Sequence, residues 1–368
     1  MLIAASGTRT LQRISQCANL WWLPHSGPRA EVFPRAEILI RDFPTTENAC
    51  FMIQRRDLLL AATAMTAAAS LPQKKAESAP ASKSGLPVRF ALNTSTVRGQ
   101  KLTIEEQVDL TAKAGYDGIE PWIRDIEKYV NEGGSLDDLK KRIADSGLTV
   151  DSAIGFANWI IDDDQARAAA LEQAKKEMAL VKAIGGVRVA APPVGAHRGD
   201  STPPPLPVIA ERYRALLEVG DEAGVVPQLE LWGFSPTLSK LSELAYVSAG
   251  AGHPDACVLP DFYHIYKGGN DFASLGMIEA SRMHCFHMND YPADPPLAQI
   301  ADKHRVFPGD GICPLPQIIR QLVDHGFSGT FSLELFNPEY WERDPDEVAS
   351  EGLQKSRQVV QAALADTQ

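Results

Sequence analysis

VLPDFYHIYKGGNDFASLGMIEASRMHCFHMND, residues 258–290, contains two apolar runs, one ending at Asp261 and the other at His287. About one helix worth of chain lies between them, so the stretch reads as strand, loop, helix, strand, with a ligand-type side chain at the carboxyl end of each strand. In a parallel barrel or an open α/β sheet, that end carries function. The flanking runs repeat the pattern: Val226-Pro-Gln-Leu-Glu230-Leu comes before, and Thr330-Phe-Ser-Leu-Glu334-Leu after. Glu230, Asp261, His287 and Glu334 together supply three carboxylates and one imidazole. Such a hard-to-borderline donor set suits one divalent ion, with manganese, magnesium, cobalt and zinc all candidates. His284 stands three residues before His287, and an odd separation in a strand points two side chains to opposite faces. Only one of the two can face the mouth, and we assign His284 a structural role.

Outward from this stretch the chain alternates strand and helix. Val88–Leu92 is a short apolar strand, and Thr103-Ile-Glu-Glu106 has the capping-box spacing that opens a helix ending at Gly115. A strand at 117–120, a helix at 135–146 stopped by Gly147, and a strand at 149–153 follow. The helix over 164–184 is stopped by Gly185-Gly186 ahead of a strand at 187–190. Helices at 206–223, 237–249 and 315–325 alternate with the strands that begin at Val226, Val258 and Thr330, and a last helix spans 344–363. Eight strand–helix units over about 280 residues match a (β/α)8 TIM barrel of ~250 residues. A doubly wound sheet is the runner-up, but no GxGxxG follows the first strand and there is no P-loop.

With 368 residues, 44% of them hydrophobic and 23% charged, the chain can build one large core plus an N-terminal extension. A net charge of −11 gives the surface no general attraction for nucleic acid or anionic lipid. None of the five cysteines (17, 50, 257, 285, 313) forms a close CxxC pair, so buried free thiols are expected. Arg55-Arg56 and the alanine-rich apolar run to Ser70 resemble a bacterial twin-arginine export signal, too short and weakly apolar to span a membrane comfortably. The expected layout is a disordered upstream segment over 1–51 with translation starting at Met52, a signal over 52–70, a flexible leader over 71–86 and the barrel over 87–365. Export to the periplasm, with no stable membrane insertion after cleavage, is the corresponding expectation.

The segments Gly115-Tyr-Asp-Gly-Ile-Glu120, Leu229-Glu230-Leu231, Asp261-Phe-Tyr-His264, His287-Met-Asn-Asp290, Arg305-Val-Phe-Pro-Gly-Asp-Gly311 and Ser332-Leu-Glu334-Leu-Phe-Asn337 resemble the xylose-isomerase-like barrel superfamily, the sugar phosphate isomerase/epimerase group. In its ketose 3-epimerase branch the resemblance implies one metal held by Glu230, Asp261, His287 and Glu334. Glu230 and Glu334 would double as acid and base, and His264 would contact substrate. Two positions depart from that branch: its arginine six residues past the histidine ligand is Ala293, and its second glutamate is Pro236. The implied enzyme is an isomerase or epimerase of a small hydroxy-ketone carbohydrate, acting through an enediolate. A metal-dependent dehydratase or lyase of a keto-polyol or keto-glycoside, which expels a hydroxyl from the carbon next to the same enolate, is the alternative. A repair nuclease is disfavoured because strands two and three lack terminal histidines. A non-catalytic sugar-binding barrel would have lost ligands, and none is lost; a homo-oligomer is compatible with all of this.

Other candidates at the mouth come from loop positions. Glu120 ends strand two and either reaches substrate or pairs with a loop arginine. Trp122, Trp159 and Trp232 each follow a strand, where an indole face can cover a sugar ring or simply pack the barrel top. His197 and Arg198 lie in a long Pro-rich loop, 190–207, of lid-like size. Arg305 precedes a Pro-Gly-Asp-Gly turn and is a substrate-binding candidate, Asp290 a residue that holds its neighbours, and Lys267 a turn cation.

Overall fold

The computed structural model of the protein describes residues 81–199 and 202–365. The expected upstream segment, the twin-arginine signal, most of the leader, and Cys17 and Cys50 lie outside the described residues. Eight parallel strands run β1 (Arg89–Asn93), β2 (Gly118–Glu120), β3 (Thr149–Val150), β4 (Arg188–Ala191), β5 (Val226–Glu230), β6 (Val258–Leu259), β7 (Cys285–Met288) and β8 (Thr330–Leu333). Ladders join them in the order β3-β2-β1-β8-β7 and β4-β5-β6. Both seams between these ladders are bonded. Ala190 N–H donates to Ala153 C=O at 2.8 Å on one side, and His287 N–H to Pro260 C=O at 2.9 Å on the other, next to parallel bridges Val258–Met283 and Asp261–His287. The sheet therefore closes into a (β/α)8 barrel.

Local chemistry sets the element ends. Thr103 and Glu106 form the capping box that starts the helix Ile104–Ala114, and Gly115 ends it at φ 90° in the left-handed region. The connection between β6 and β7 differs from the single helix expected there. It breaks into a short helix, Phe262–Lys267, and two 3-10 turns, Phe272–Met277 and Ala280–Arg282, because Gly268-Gly269 ends the first element after six residues. A helix at Ile123–Asn131, directly after Trp122, was not anticipated. The leader also ends earlier than its composition implies. Ser82 Oγ and Lys83 N–H donate to the Asp117 carboxylate at 2.9 and 2.6 Å, which pins residues 82–83 to the barrel.

Apolar packing fills the space between sheet and helices; Phe262 and Phe286, for example, approach to 4.4 Å between centroids. The barrel interior itself is polar in layers. At one level Arg89 bonds Asp117 C=O and ion-pairs with Asp151, while Thr330 Oγ1 donates to Asp151 at 3.0 Å. Nearer the mouth Gln228 donates to Ser152 at 3.1 Å and Ser332 to Glu120 at 2.6 Å. Buried polar groups are tolerable only when so paired. Of the cysteines, Cys257, Cys285 and Cys313 are free and buried. No helix among the described residues is long and apolar enough to cross a membrane.

Asp290, wholly buried two residues past β7, ties down the loop that follows. Its Oδ1 accepts from Tyr291 and Cys313 N–H at 2.8 and 3.0 Å, and its Oδ2 from Gly309 and Gly311 N–H at 3.0 and 3.1 Å. A Cβ at Gly311 would lie 2.2 Å from that carboxylate, so the turn closes on it only with glycine. Each donor left without a partner costs about 1–3 kcal/mol. Asp290→Ala should therefore lower the unfolding free energy by about 3 kcal/mol or more, and Asp290→Asn, which keeps one acceptor oxygen, by less. Denaturant midpoints of the two variants test this, and a loss under about 1 kcal/mol for the alanine variant would contradict it.

Candidate metal centre and active site

Four strand ends bring Glu230 (β5), Asp261 (after β6), His287 (β7) and Glu334 (after β8) to one point. The point is Nδ1 of His287. Glu334 Oε2 lies 3.2 Å from it, Asp261 Oδ2 3.7 Å and Glu230 Oε1 3.8 Å, and all four side chains are buried. The other ring nitrogen, Nε2, faces Glu120 at 3.2–3.3 Å. A carboxylate only accepts, so Nε2 carries a proton, while Nδ1, among three more carboxylates, holds either a second proton or the lone pair that a cation would take. That nitrogen has no hydrogen-bond partner. An orphaned buried nitrogen amid three acidic oxygens is what a divalent cation would satisfy, and this donor set fits one. Asp261, His287 and Glu334 form a tight ligand group by themselves, with Glu230 beside them.

Glu120 faces the opposite ring nitrogen of His287 from the other three carboxylates. It is fully buried behind the imidazole, accepting from Asn93 Nδ2 at 2.9 Å and Ser332 Oγ at 2.6 Å, so the reading of Glu120 as a substrate contact is replaced by that of a residue orienting His287. Burial alone would raise its pKa; His287 and the hydrogen bonds hold it below the ordinary carboxylate range. Burial works against a charged His287, yet Glu334, Glu120 and Glu230 push its pKa well above the ordinary value. Glu230 moves the other way from Glu120. Its burial, opposed by His287 and reinforced by Glu334, pushes the carboxyl up to about 8.

Asp261 has two tasks. Its Oδ1 caps the helix Phe262–Lys267 by accepting from His264 N–H at 2.7 Å, and its Oδ2 faces the centre, held by Asn289 at 2.9 Å and Arg305 at 3.0 Å. Arg305 is itself buried. It donates to Glu334 Oε2 at 2.7 Å, pairs with Asp302, and reaches His264 Nε2 at 3.0 Å. Arginine can only donate, so His264 is neutral with its proton on Nδ1, and that buried N–H has no partner. Burial likewise lowers the His264 pKa, to about 4. Asn93, which sequence reading passed over, links Glu120, Glu334 at 3.1 Å and the Trp122 indole N–H at 3.0 Å.

A circuit of rings runs round the mouth in barrel order. Centroids are separated by 6.1 Å from Phe336 to Trp122, 5.1 Å to Phe156, 6.3 Å to Trp232, 5.2 Å to Phe234 and 5.6 Å to His264. Arg305 closes it, 4.9 Å from the Phe336 ring. His197 stands edge-on to Trp232 at 5.5 Å, at the outer side of this wall. Trp159 instead packs inside, with its N–H on Pro192 C=O. Lys267, the last residue of the helix Phe262–Lys267, donates to Leu297 C=O, and His284 precedes β7 near Arg188 and Arg282. The sequence reading missed Phe156, Phe234 and Phe336; all three follow strands closely, as the tryptophans do.

A family model described as xylose isomerase-like TIM barrel matches residues 108–359. An inosose isomerase of Bacillus velezensis is 26% identical over 280 residues, covering 74% of this chain and 97% of that protein. A 3-dehydroshikimate dehydratase of Pseudomonas putida is 22% identical over 254 residues, covering 68% of this chain but 39% of that longer protein. Among solved structures, the IOLI protein with a bound zinc atom superposes with a TM-score of 0.70 at 22% identity, covering 76% of this chain and 100% of that one, a likeness of fold.

The charge arrangement dictates a pH response. Without a cation, Glu230 holds a proton up to about pH 8, against an ordinary value of 4.5. The native state then binds more protons than the unfolded chain, so this stabilisation is full below pH 4.5 and is lost as the pH climbs to about 8. The slope is at most about 1.4 kcal/mol per pH unit for such a group. Glu120, held low, stays ionised across the window and does not oppose it. Chelator-treated protein should lose thermal stability over that range, and manganese should abolish the loss. Calorimetry in two buffers should also show protons released on manganese binding; a pH-independent affinity with no release would contradict the assignment.

Proposed function

Because the chain belongs to the xylose isomerase-like TIM barrel family, we propose that it is a divalent-metal-dependent isomerase or epimerase of a keto-sugar or polyol-derived ketone. The observation that carries this reading is the convergence of Glu230, Asp261 and Glu334 on the unpartnered Nδ1 of His287. These four residues would hold the ion. Support also comes from the relatives, one named inosose isomerase and one structure carrying zinc. When bound, the ion would supply a Lewis acid that polarises the substrate carbonyl and acidifies the neighbouring C–H.

The remaining steps belong to the protein. β5 and β8 lie three strands apart, so Glu230 and Glu334 approach the substrate from facing walls, one to take the carbon-bound proton and one to return it. Arg305 and Asn93 fix the Glu334 carboxylate through its two oxygens. The buried Nδ1–H of His264, which has no partner, would donate to a substrate oxygen, and the Trp122 and Phe336 rings would wall off water. A dehydratase reading draws on the 3-dehydroshikimate dehydratase relative: the same enediolate could lose a hydroxyl from the next carbon. We also propose export by the twin-arginine route; replacing Arg55 and Arg56 by Lys should leave the protein in the cytoplasm, whereas unchanged export would contradict it.

Glu334→Gln keeps the side-chain volume but removes the charge and the base. Turnover should fall on the order of 10²-fold or more, with weaker metal binding. In deuterium oxide, wild type should wash deuterium into the carbon beside the ketone and the variant should not. Recovery of isomerised product without deuterium would indicate hydride transfer between carbons, and recovery of a product lacking water would select the lyase.

A further inference from the structure

The ring circuit has two depths. Trp122 and His264 are buried and joined to the charged centre, the first through Asn93 and the second through Arg305. A ring whose carbonyl and hydroxyl meet the centre already has its walls in these two and Phe336. Beyond them stand Phe156 and Phe234, 41% and 45% exposed, with the half-buried Trp232 between them. Exposed aromatic side chains scattered singly mean little; three that adjoin one another beside a buried polar centre mark a binding surface.

We propose that this outer tier is a second subsite, and that the substrate is a two-ring compound: a keto-sugar carrying a second ring as its aglycone, stacked against Phe156, Trp232 and Phe234. The inference rests on the proposed function for the inner ring but not on its chemistry. The tier offers ring faces and little else. His197 stands edge-on to Trp232 at 5.5 Å, beside this tier. Pyranose C–H faces and aryl rings both stack on such surfaces, which leaves a second sugar and an aromatic group as the two sources of one chemistry. Phe156 and Phe234 follow β3 and β5, so the second ring leaves the centre on the side of β4 and His197.

Binding of unreactive probes tests this without turnover. Manganese-loaded protein is titrated with glucose, phenyl glucoside and cellobiose, and Trp fluorescence or calorimetry gives the affinities. At least one two-ring probe should bind tenfold or more tighter than glucose. The phenyl and cellobiose arms tell an aryl from a sugar aglycone. Phe156→Ala and Phe234→Ala, both at exposed positions, should bring that ratio down to about one with an unchanged melting temperature. Tyr246→Ala, an exposed aromatic on the helix Leu241–Gly250, should leave the ratio intact. Equal affinity for one-ring and two-ring probes, including no measurable binding of any, overturns the proposal, as does a preference that survives both phenylalanine replacements. Failure of the deuterium experiment with the preference intact would instead discard the isomerase reading and keep the subsite.

Discussion

Four carboxylates, Glu120, Glu230, Asp261 and Glu334, meet around one imidazole in a volume closed to water, and their mutual repulsion is the constraint on which the upper half of the barrel is built. Isolated buried charges of this kind cost far more than a fold can spare, so each must find a countercharge or a proton. His287 takes Glu120 on Nε2, and Arg305 takes Asp261 and Glu334. What is left is the acidity around Nδ1, which a proton on Glu230 can relieve but a divalent ion relieves better. The same balance explains why Arg305 is so heavily fixed. Asp302 and the Tyr263 and Phe336 faces hold its guanidinium, and Asn337 donates to its carbonyl at 3.1 Å.

That fixing reaches down into the backbone. Arg305 belongs to the segment between β7 and β8, and Asp290 gathers the N–H groups of 309, 311 and 313 so that the segment folds back over the barrel top. The single antiparallel bridge between Asp290 and Val306 ties the segment back to the end of β7. A loop positioned by one buried carboxylate thus places the cation that neutralises two others. Asp261 shows the same economy within one side chain, since capping a helix with Oδ1 leaves Oδ2 aimed at the centre.

The barrel and the ligand quartet were legible because both depend on strand-end position, and apolar runs ending in Glu230, Asp261, His287 and Glu334 display that position directly. Orientation is different. Glu120 ends its strand just as Glu230 does, but its carboxylate faces Nε2 of the imidazole, not Nδ1, and no period in the sequence encodes that difference. Asn93 was overlooked because a strand-final Asn reads as a helix cap, which it also is, through Ser95 N–H at 3.0 Å. Phe156, Phe234 and Phe336 carried a usable signal. Each lies within a few residues of a strand end, the placement that singled out Trp122 and Trp232, and scanning for phenylalanine as well as tryptophan would have found them.

The rings and the charged centre depend on each other. An apolar wall lowers the local dielectric, which strengthens the interaction of any cation with Asp261, Glu230 and Glu334, and equally strengthens their repulsion when no cation is there. Closing the mouth with aromatic side chains is therefore tolerable only above a site that carries its own positive charge. Arg305 meets that need permanently for two carboxylates, since arginine does not lose its proton at any working pH. It stands at the junction between the Phe336 face and the acidic oxygens, where the dry wall ends and the charge begins. Replacing it by lysine would keep one charge but lose the planar fork that reaches Glu334, Asp261 and His264 at once, so the geometry of the wall and the charge of the floor are secured by a single side chain.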